Sequence, residues 1–294
     1  MTQAGKLRAL LGGPDMIIAP GAYDPLTAML VAQAGFPAVY MTGAGTSVSH
    51  GYPDFGLLTG SEMVANAARM TRAVDIPLVA DADTGYGNEL NAVRTVQDYE
   101  RAGVAGIHIE DQVSPKRCGH LDDKEIVPRE DWLAKIRAAA FARRDADFLV
   151  IARTDARAVA GFDDAIARAN AALQAGADMA FVEAPQTMEE VAAVPKLVRG
   201  PCLLNVVRGG KTPEVDLREA QTLGYKLAIV PGLLLKAVIG ACDAMLGQLK
   251  ATHRHPVPPT DMTVRDGFNR VGAQEWDALR IRFRTEAADR RAAE

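Results

Sequence analysis

Three acids stand directly after short apolar runs: Asp81 and Asp83 follow residues 77–80, and Glu110 follows residues 106–109. Brought to neighbouring strand ends, three like charges repel unless a cation sits among them. They offer hard oxygen donors with no histidine or thiolate beside them, so Mg2+, or Mn2+ in its place, suits them better than zinc. Magnesium keeps several waters. One or two carboxylates are therefore expected to touch it directly and the others to hold its water shell.

A second group with chemical potential lies in the segment 111–127, which carries Lys116-Arg117-Cys118-Gly119-His120. A connection this long inside a compact domain reads as a functional lid. With Lys116, Arg117 and His120 around it, the Cys118 thiolate is expected to be stabilised and its pKa lowered, so that it exchanges a proton near neutrality. Gly119 is expected to be a flexible joint. Cys202, inside an apolar run, and Cys242, on an apolar helix face, read as inert core residues. His108 reads as a packed core histidine, and His253 borders and His255 falls in a proline-rich connector at 254–260.

The elements that must position these groups show as periodicity. Runs at 16–19, 37–41, 77–80, 106–109, 148–152, 179–182, 201–204 and 226–230 are apolar and rich in β-formers, as parallel strands buried on both faces are. Most follow alanine-rich amphipathic stretches, several of which close at Gly35, Gly103, Gly176 or Gly224, and glycine is the usual helix stop. Eight such units predict an α/β fold, a (β/α)8 TIM barrel. An open doubly wound sheet is the alternative, weakened because no GxGxxG follows the first run. In a barrel the chemistry gathers at the C-terminal strand ends. Those ends carry Gly21-Ala22-Tyr23-Asp24, Thr42-Gly43, Asp81-Ala82-Asp83, Glu110-Asp111, Arg153-Thr154-Asp155, Glu183 and Asn205. Asp24 and Asp155 read equally well as helix N-caps.

Composition bounds the remaining classes. Across 294 residues, 37 acidic against 33 basic side chains leave a net charge of −4, which offers no basic field to a nucleic acid. No apolar run approaches the roughly 20 residues that span a bilayer, and residues 1–20 lack the continuous apolar core of a signal peptide. A cytoplasmic protein without membrane contact is expected. Three scattered cysteines make no disulfide framework. Residues 1–250 are expected to form the catalytic barrel, ending in an apolar helix at 233–249. Residues 251–294 are expected to form a linker and helical arm for oligomer packing, with Pro256, Pro258 and Pro259 holding the linker extended.

Several motifs together resemble the isocitrate lyase and phosphoenolpyruvate mutase superfamily, nearest its short methylisocitrate lyase type. They are Tyr40-Met41-Thr42-Gly43-Ala44-Gly45, Pro53-Asp54, Asp81-Ala82-Asp83-Thr84-Gly85-Tyr86-Gly87, Gly106-Ile107-His108-Ile109-Glu110-Asp111-Gln112, the Lys-Arg-Cys-Gly-His loop, Ala152-Arg153-Thr154-Asp155-Ala156, Glu183-Ala184, Asn205 and Thr212-Pro213. The resemblance implies that Asp81 binds magnesium while Asp54, Asp83 and Glu110 hold its waters. It implies an α-keto or α-hydroxy carboxylate at the metal and at the Thr42-Gly43-Ala44 turn, with Arg153, Glu183, Asn205 and Gly119 completing the substrate site. The branch with the loop cysteine generally cleaves a carbon–carbon bond. On that reading Mg2+ acidifies the substrate hydroxyl, Tyr40 is a base or relay for its proton, and Arg153 and His120 disperse the developing charge. Cys118 then protonates the carbanion, and Lys116 of the same loop counts among the catalytic residues.

Two positions depart from that pattern. Where methylisocitrate lyases carry Thr-Glu-Phe-Gly after the strand-seven asparagine, this chain has Val206-Val207-Arg208-Gly209, which places Arg208 beside the substrate. Lys236 stands where an arginine is usual, and it cannot clamp a carboxylate bidentately. The expected activity is a Mg2+-dependent carbon–carbon lyase acting on a 2-methylisocitrate-like or alkylmalate (dimethylmalate-type) acid to give pyruvate and a carboxylate. The expected partners are a small di- or tricarboxylate and further copies of the chain, in a homotetramer built as a dimer of dimers by exchange of the last barrel helix. A carboxyphosphonoenolpyruvate-type phosphonomutase and a catalytically silent dicarboxylate-binding barrel are the alternatives.

Overall fold

The structure, a computed structural model, describes residues 1–258, 260 and 262–293, with side chains through 284 apart from 259 and 261, so the expectation for Pro259 lies outside the described residues. The chain divides into two compact units, Met1–Ala237 and Val238–Glu294.

The first unit opens with α1 (Gln3–Leu11), β1 (Ile17–Ala22), α2 (Pro25–Gln33), β2 (Val39–Met41), α3 (Gly43–Ser49), α4 (Gly60–Ala73), β3 (Leu78–Asp81), α5 (Glu89–Arg101) and β4 (Gly106–Glu110). It continues through α6 (Arg129–Ala142), β5 (Leu149–Thr154), α7 (Ala156–Val159), α8 (Phe162–Gln174), β6 (Met179–Val182), α9 (Met188–Leu197), β7 (Cys202–Asn205), α10 (Leu217–Leu223) and β8 (Leu227–Val230). Helix α11 (Leu233–Thr252) runs across the division, and α12 (Val264–Asn269) and α13 (Ala273–Ala293) follow it.

All eight strands lie on the apolar runs and pair in parallel, in chain order, into a closed barrel; β8 returns to β1 from Ile17↔Leu227 to Pro20↔Val230. Strands β2, β3 and β7 begin just after Pro37, Pro77 and Pro201, residues with no N–H to give a ladder. At their other ends β3, β4, β5 and β7 run on into Asp81, Glu110, Thr154 and Asn205, so the polar rim is held by the ladder itself. Alternation along the strands separates two packed layers. Ala19, Tyr40, Val79, Ile151, Phe181, Leu203 and Ile229 fill the barrel. Val39, Met41, Leu78, Ile107 and Val150 point outward onto residues of α4, α5 and α6 such as Met63, Val96 and Trp132.

Asp24 is a helix cap: its carboxylate accepts from the Thr27 N–H at 2.7 Å, in a reciprocal capping box at the start of α2. Asp155, in the corresponding place before α7, makes no cap bond and turns instead toward the barrel mouth. Cys202 is buried in β7, as expected, whereas Cys242 on α11 is exposed. An amphipathic stripe (Val238, Cys242, Leu246, Leu249) reads the same in sequence whether or not its own chain covers it. Among the described residues no helix is long and apolar enough to cross a membrane.

Candidate active site

The polar residues at the barrel mouth follow from the pleat. Asp81, Arg153, Glu183 and Asn205 each come two residues after an interior apolar side chain, Val79, Ile151, Phe181 and Leu203, and so share its inward face. Asp81 reaches the turn before α3 because Gly43 has no side chain; a Cβ there would lie 2.4 Å from Asp81 Oδ2. Asp81 Oδ1 accepts from the Asp83 N–H at 2.9 Å. Burial pushes its carboxyl up, but His108, Lys116 and Arg153 together hold it down at about 2.

The other acids are held differently. Burial lifts Asp83 to about 6, helped by Asp81 and Asp54 and opposed by Lys116, and burial raises Glu110 well above the usual range. Lys116 places its ammonium 2.5 Å from Asp54 Oδ1 and 3.1 Å from Asp83 Oδ1, and these acids raise its pKa against the downward push of burial. Asp83 Oδ1 and both Glu110 oxygens are buried without a well-directed hydrogen bond, although Lys116 Nζ lies 3.1 Å from Asp83 Oδ1 and Arg153 Nη1 3.1 Å from Glu110 Oε2. Buried carboxylates short of donors suit a hydrated divalent cation, which supplies positive charge and water protons together. Among the described residues no three Asp, Glu, His or Cys side chains converge to hold an ion by themselves.

A histidine does lie beside these acids, contrary to the sequence reading. His108 is fully buried in the barrel, with Nε2 2.8 Å from the Tyr40 hydroxyl and 3.6 Å from Asp81 Oδ1. Burial lowers it to about 4, so the ring is neutral at pH 7. Tyr40 also stands 3.4 Å from Asp81 Oδ2. Burial and then the Asp81 charge raise its pKa well above the ordinary value. The Tyr40 hydroxyl is therefore protonated at neutral pH. His108 was legible by one signal: it sits two residues before Glu110, on the same face of β4.

On the opposite side Arg153 fans out to three acids, with Nη1 3.1 Å from Glu110, Nε 3.0 Å from Asp155 and Nη2 3.6 Å from Glu183. Asn205 donates to both Glu183 oxygens at 3.2 and 3.1 Å. His120 Nδ1 accepts the Lys211 N–H at 3.0 Å, which fixes the proton on Nε2, 3.5 Å from Glu183 Oε1. Burial lowers the His120 pKa. The ring is therefore a neutral donor at the pocket.

The segment 111–127 closes over this arrangement. Its two limbs pair through Gln112↔Ile126 and Val113 N–H to Glu125 O at 2.9 Å, and the Cys118 N–H donates to Asp54 O at 3.1 Å. The expected activation of the thiol does not hold. Burial, then Asp54, push Cys118 up to about 11, opposed by the His120 N–H and Arg153. Its basic sequence neighbours are engaged elsewhere: Lys116 with Asp54 and Asp83, Arg117 over the Phe55 ring at 5.4 Å, His120 with Glu183. Cys118 is a protonated thiol at neutral pH. Gly119 is required for close approach, because a Cβ there would lie 2.1 Å from Glu183 Oε1 and 2.5 Å from Arg153 Nη2.

Tyr40, Thr42, Ala44, Asp54, Asp81, Cys118, Gly119, His120, Arg153, Glu183 and Asn205 line one cavity of about 180 Å3. Its far wall is Val207, Pro231, Leu235 and Lys236, none of which the sequence marked as a wall apart from the Lys236 substitution. Gly43, Asp83, Glu110 and Lys116 lie just behind this lining. Arg208 is not brought to the cavity. Its side chain is 87% exposed and pairs with Glu214 at 3.3 Å, while its carbonyl accepts from Lys236 Nζ at 2.5 Å.

A family model described as phosphoenolpyruvate phosphomutase matches residues 7–250. The chain is 49% identical over 232 residues to a 2,3-dimethylmalate lyase of Eubacterium barkeri, covering 79% of this chain and 80% of that protein. It is 44% identical over 243 residues to a 2-methylisocitrate lyase of Aeropyrum pernix, covering 83% and 78%. A crystal structure of 2,3-dimethylmalate lyase superposes with a TM-score of 0.91 at 40% identity, over 95% of this chain and 94% of that one. A phosphonopyruvate hydrolase in complex with oxalate and Mg++ does so at 0.86 and 31%, over 96% and 99%.

Proposed function

Because the chain belongs to the PEP mutase/isocitrate lyase superfamily, we propose that it is a Mg2+-dependent carbon–carbon lyase that cleaves an alkylmalate or 2-methylisocitrate-like acid to pyruvate and a carboxylate. The observation that carries this reading is the meeting of Cys118 and His120 with Asp81, Arg153, Glu183 and Asn205 in one cavity. Asp81 would hold the ion directly, with Asp54, Asp83 and Glu110 reaching it through water. When bound, the ion draws electron density from the substrate's hydroxyl and carboxylate oxygens. The first N–H groups of α3, those of Gly43 and Ala44, have no partner within the helix and would be free to donate to a substrate carboxylate.

The chain's own groups then divide the work. Tyr40, kept protonated beside Asp81 and His108, takes up the hydroxyl proton as it passes its own to the neutral His108 ring, whose Nε2 lies 2.8 Å away. As the C2–C3 bond breaks, its electron pair moves into an enolate-like carboxylate, which the Arg153 guanidinium and the His120 Nε2–H stabilise. Cys118 returns a proton to carbon, and its high pKa serves this step because the proton to be given is in place at pH 7. The closed 111–127 segment keeps bulk water from quenching the carbanion first.

Val207, Pro231 and Leu235 favour a substrate with an alkyl branch, and Lys236 is the cation available to a third carboxylate. The test is product release from a panel: pyruvate from 2,3-dimethylmalate or 2-methylisocitrate, glyoxylate from isocitrate, oxalate or pyruvate from oxaloacetate, and pyruvate or phosphoenolpyruvate from phosphonopyruvate. Release from an alkylmalate or methylisocitrate supports the reading; turnover of the phosphonate alone refutes it in favour of a mutase or hydrolase. A homotetramer assembled through α11 belongs to the same proposal, supported by the exposed Val238, Ile239, Leu246 and Leu249 on that helix. Light scattering tests it, and a monomer contradicts it.

A further inference from the structure

Lys124 lies in the returning limb of the 111–127 segment, and neither the sequence motifs nor the reaction outlined above gives it a task. Its side chain is 1% exposed. The ammonium donates to the Gly119 carbonyl and to Asp155 Oδ1, the latter at 2.8 Å. Both partners bear on the site. Gly119 is the residue whose backbone rests against Arg153 and Glu183. Asp155, fully buried, grips the Nε–Nη2 edge of Arg153 at 3.0 and 3.3 Å. That grip leaves Nη1 and Nη2 directed at Glu110 and Glu183.

We propose that Lys124 is a positioning residue that couples seating of the 111–127 segment to the alignment of Arg153, through the Gly119 carbonyl on one side and Asp155 on the other. Lys124 belongs to the segment and Asp155 to the barrel rim, so the contact exists only when the segment is seated. Seating then does two things at once: it places Cys118 and His120 over the pocket and completes the partners of Asp155. Stability alone does not call for a lysine here. A buried ion pair replaced as a whole by apolar side chains is often no less stable, so stability alone does not require the pair, and with Lys124 removed Asp155 keeps Arg153 as its counter-charge. The proposal rests on the lyase reading only in using Cys118 and Arg153 as site residues.

The test compares Lys124→Met and Lys124→Arg with the parent by kcat and KM for pyruvate release, thermal melting, and the rate at which iodoacetamide labels Cys118, read by peptide mass mapping. For Lys124→Met the proposal predicts a kcat at least about tenfold lower with KM changed far less, as expected when closure is impaired. It also predicts Cys118 labelling at least about fivefold faster at the same pH as cover is lost, in a chain that still folds but melts lower because one partner of a buried pair is gone. Lys124→Arg is predicted to recover most of both effects. Parent-like kcat and labelling in Lys124→Met overturn the proposal. So does a Lys124→Met chain that fails to fold, or a Lys124→Arg chain as impaired as Lys124→Met, since either makes the lysine a packing element. Labelling needs no substrate: if the parent cleaved none of the panel acids, the lyase reading would fall while the labelling rates still decided the role of Lys124.

Discussion

Replacing Gly119 by alanine puts one methyl group where the closed segment meets the substrate pocket. Its carbon would lie 2.1 Å from Glu183 Oε1, 2.5 Å from Arg153 Nη2 and 2.6 Å from Glu183 Cγ. Ordinary contact begins at 3.4 Å, so the worst approach falls short by about 1.3 Å, and the packed surroundings leave little room to relax it. Neither neighbour can yield: Glu183 is 1% exposed and doubly bonded to Asn205, and Arg153 is fixed by Asp155 and Glu110. The segment itself must therefore retreat by about 1 Å, carrying Cys118 and His120 with it, a misplacement that costs about 100-fold in rate, or roughly 2.7 kcal/mol. The barrel ladder is untouched, because 111–127 contributes no strand to it. The assay is kcat/KM for pyruvate release beside a thermal melt. The expected result is a loss of about 100-fold with unchanged melting, and a Gly119→Ala enzyme within about threefold of the parent, under 1 kcal/mol, refutes the closed geometry.

Two further outcomes follow from the thiol. Cys118→Ser should lower kcat by about 10^2- to 10^4-fold, the range of a positioned proton donor, with little change in KM; full activity would remove the general-acid role. With the thiol pushed up to about 11, Cys118 is protonated throughout the neutral range and the thiolate fraction grows with pH. Labelling by iodoacetamide should then climb about tenfold per pH unit between pH 7 and 10 without a plateau. A plateau below pH 8 would mean the basic neighbours do stabilise the thiolate.

The barrel was readable because each of its strands is buried on both faces and so survives in the sequence as an apolar run ended by a polar residue. The rim was readable for the same reason: Asp81, Glu110, Arg153, Glu183 and Asn205 each break such a run at its C-terminal end. What stayed hidden depends on directions that adjacency does not encode. Lys116 and His120 flank Cys118 in the chain, but their charged and polar ends turn to Asp54, Asp83 and Glu183, leaving the thiol to burial. The close approach at Gly119 was hidden because sequence carries no distances. Lys124 was invisible because its partners lie 5 and 31 residues away. Val207, Pro231 and Leu235 are ordinary apolar residues until the barrel closes and turns them toward a substrate.

The central claim, carbon–carbon cleavage followed by protonation at carbon, is tested most directly by incubating 2,3-dimethylmalate with the enzyme and Mg2+ in D2O and following the products by 1H NMR. Breaking the C2–C3 bond turns the C2 hydroxyl into the keto group of pyruvate and leaves C3 as a carbanion that becomes propionate on taking up a proton. The account predicts pyruvate and propionate in equal amounts, with one solvent deuteron at C2 of the propionate. Intact substrate after prolonged incubation, or propionate formed without a solvent deuteron, would contradict it.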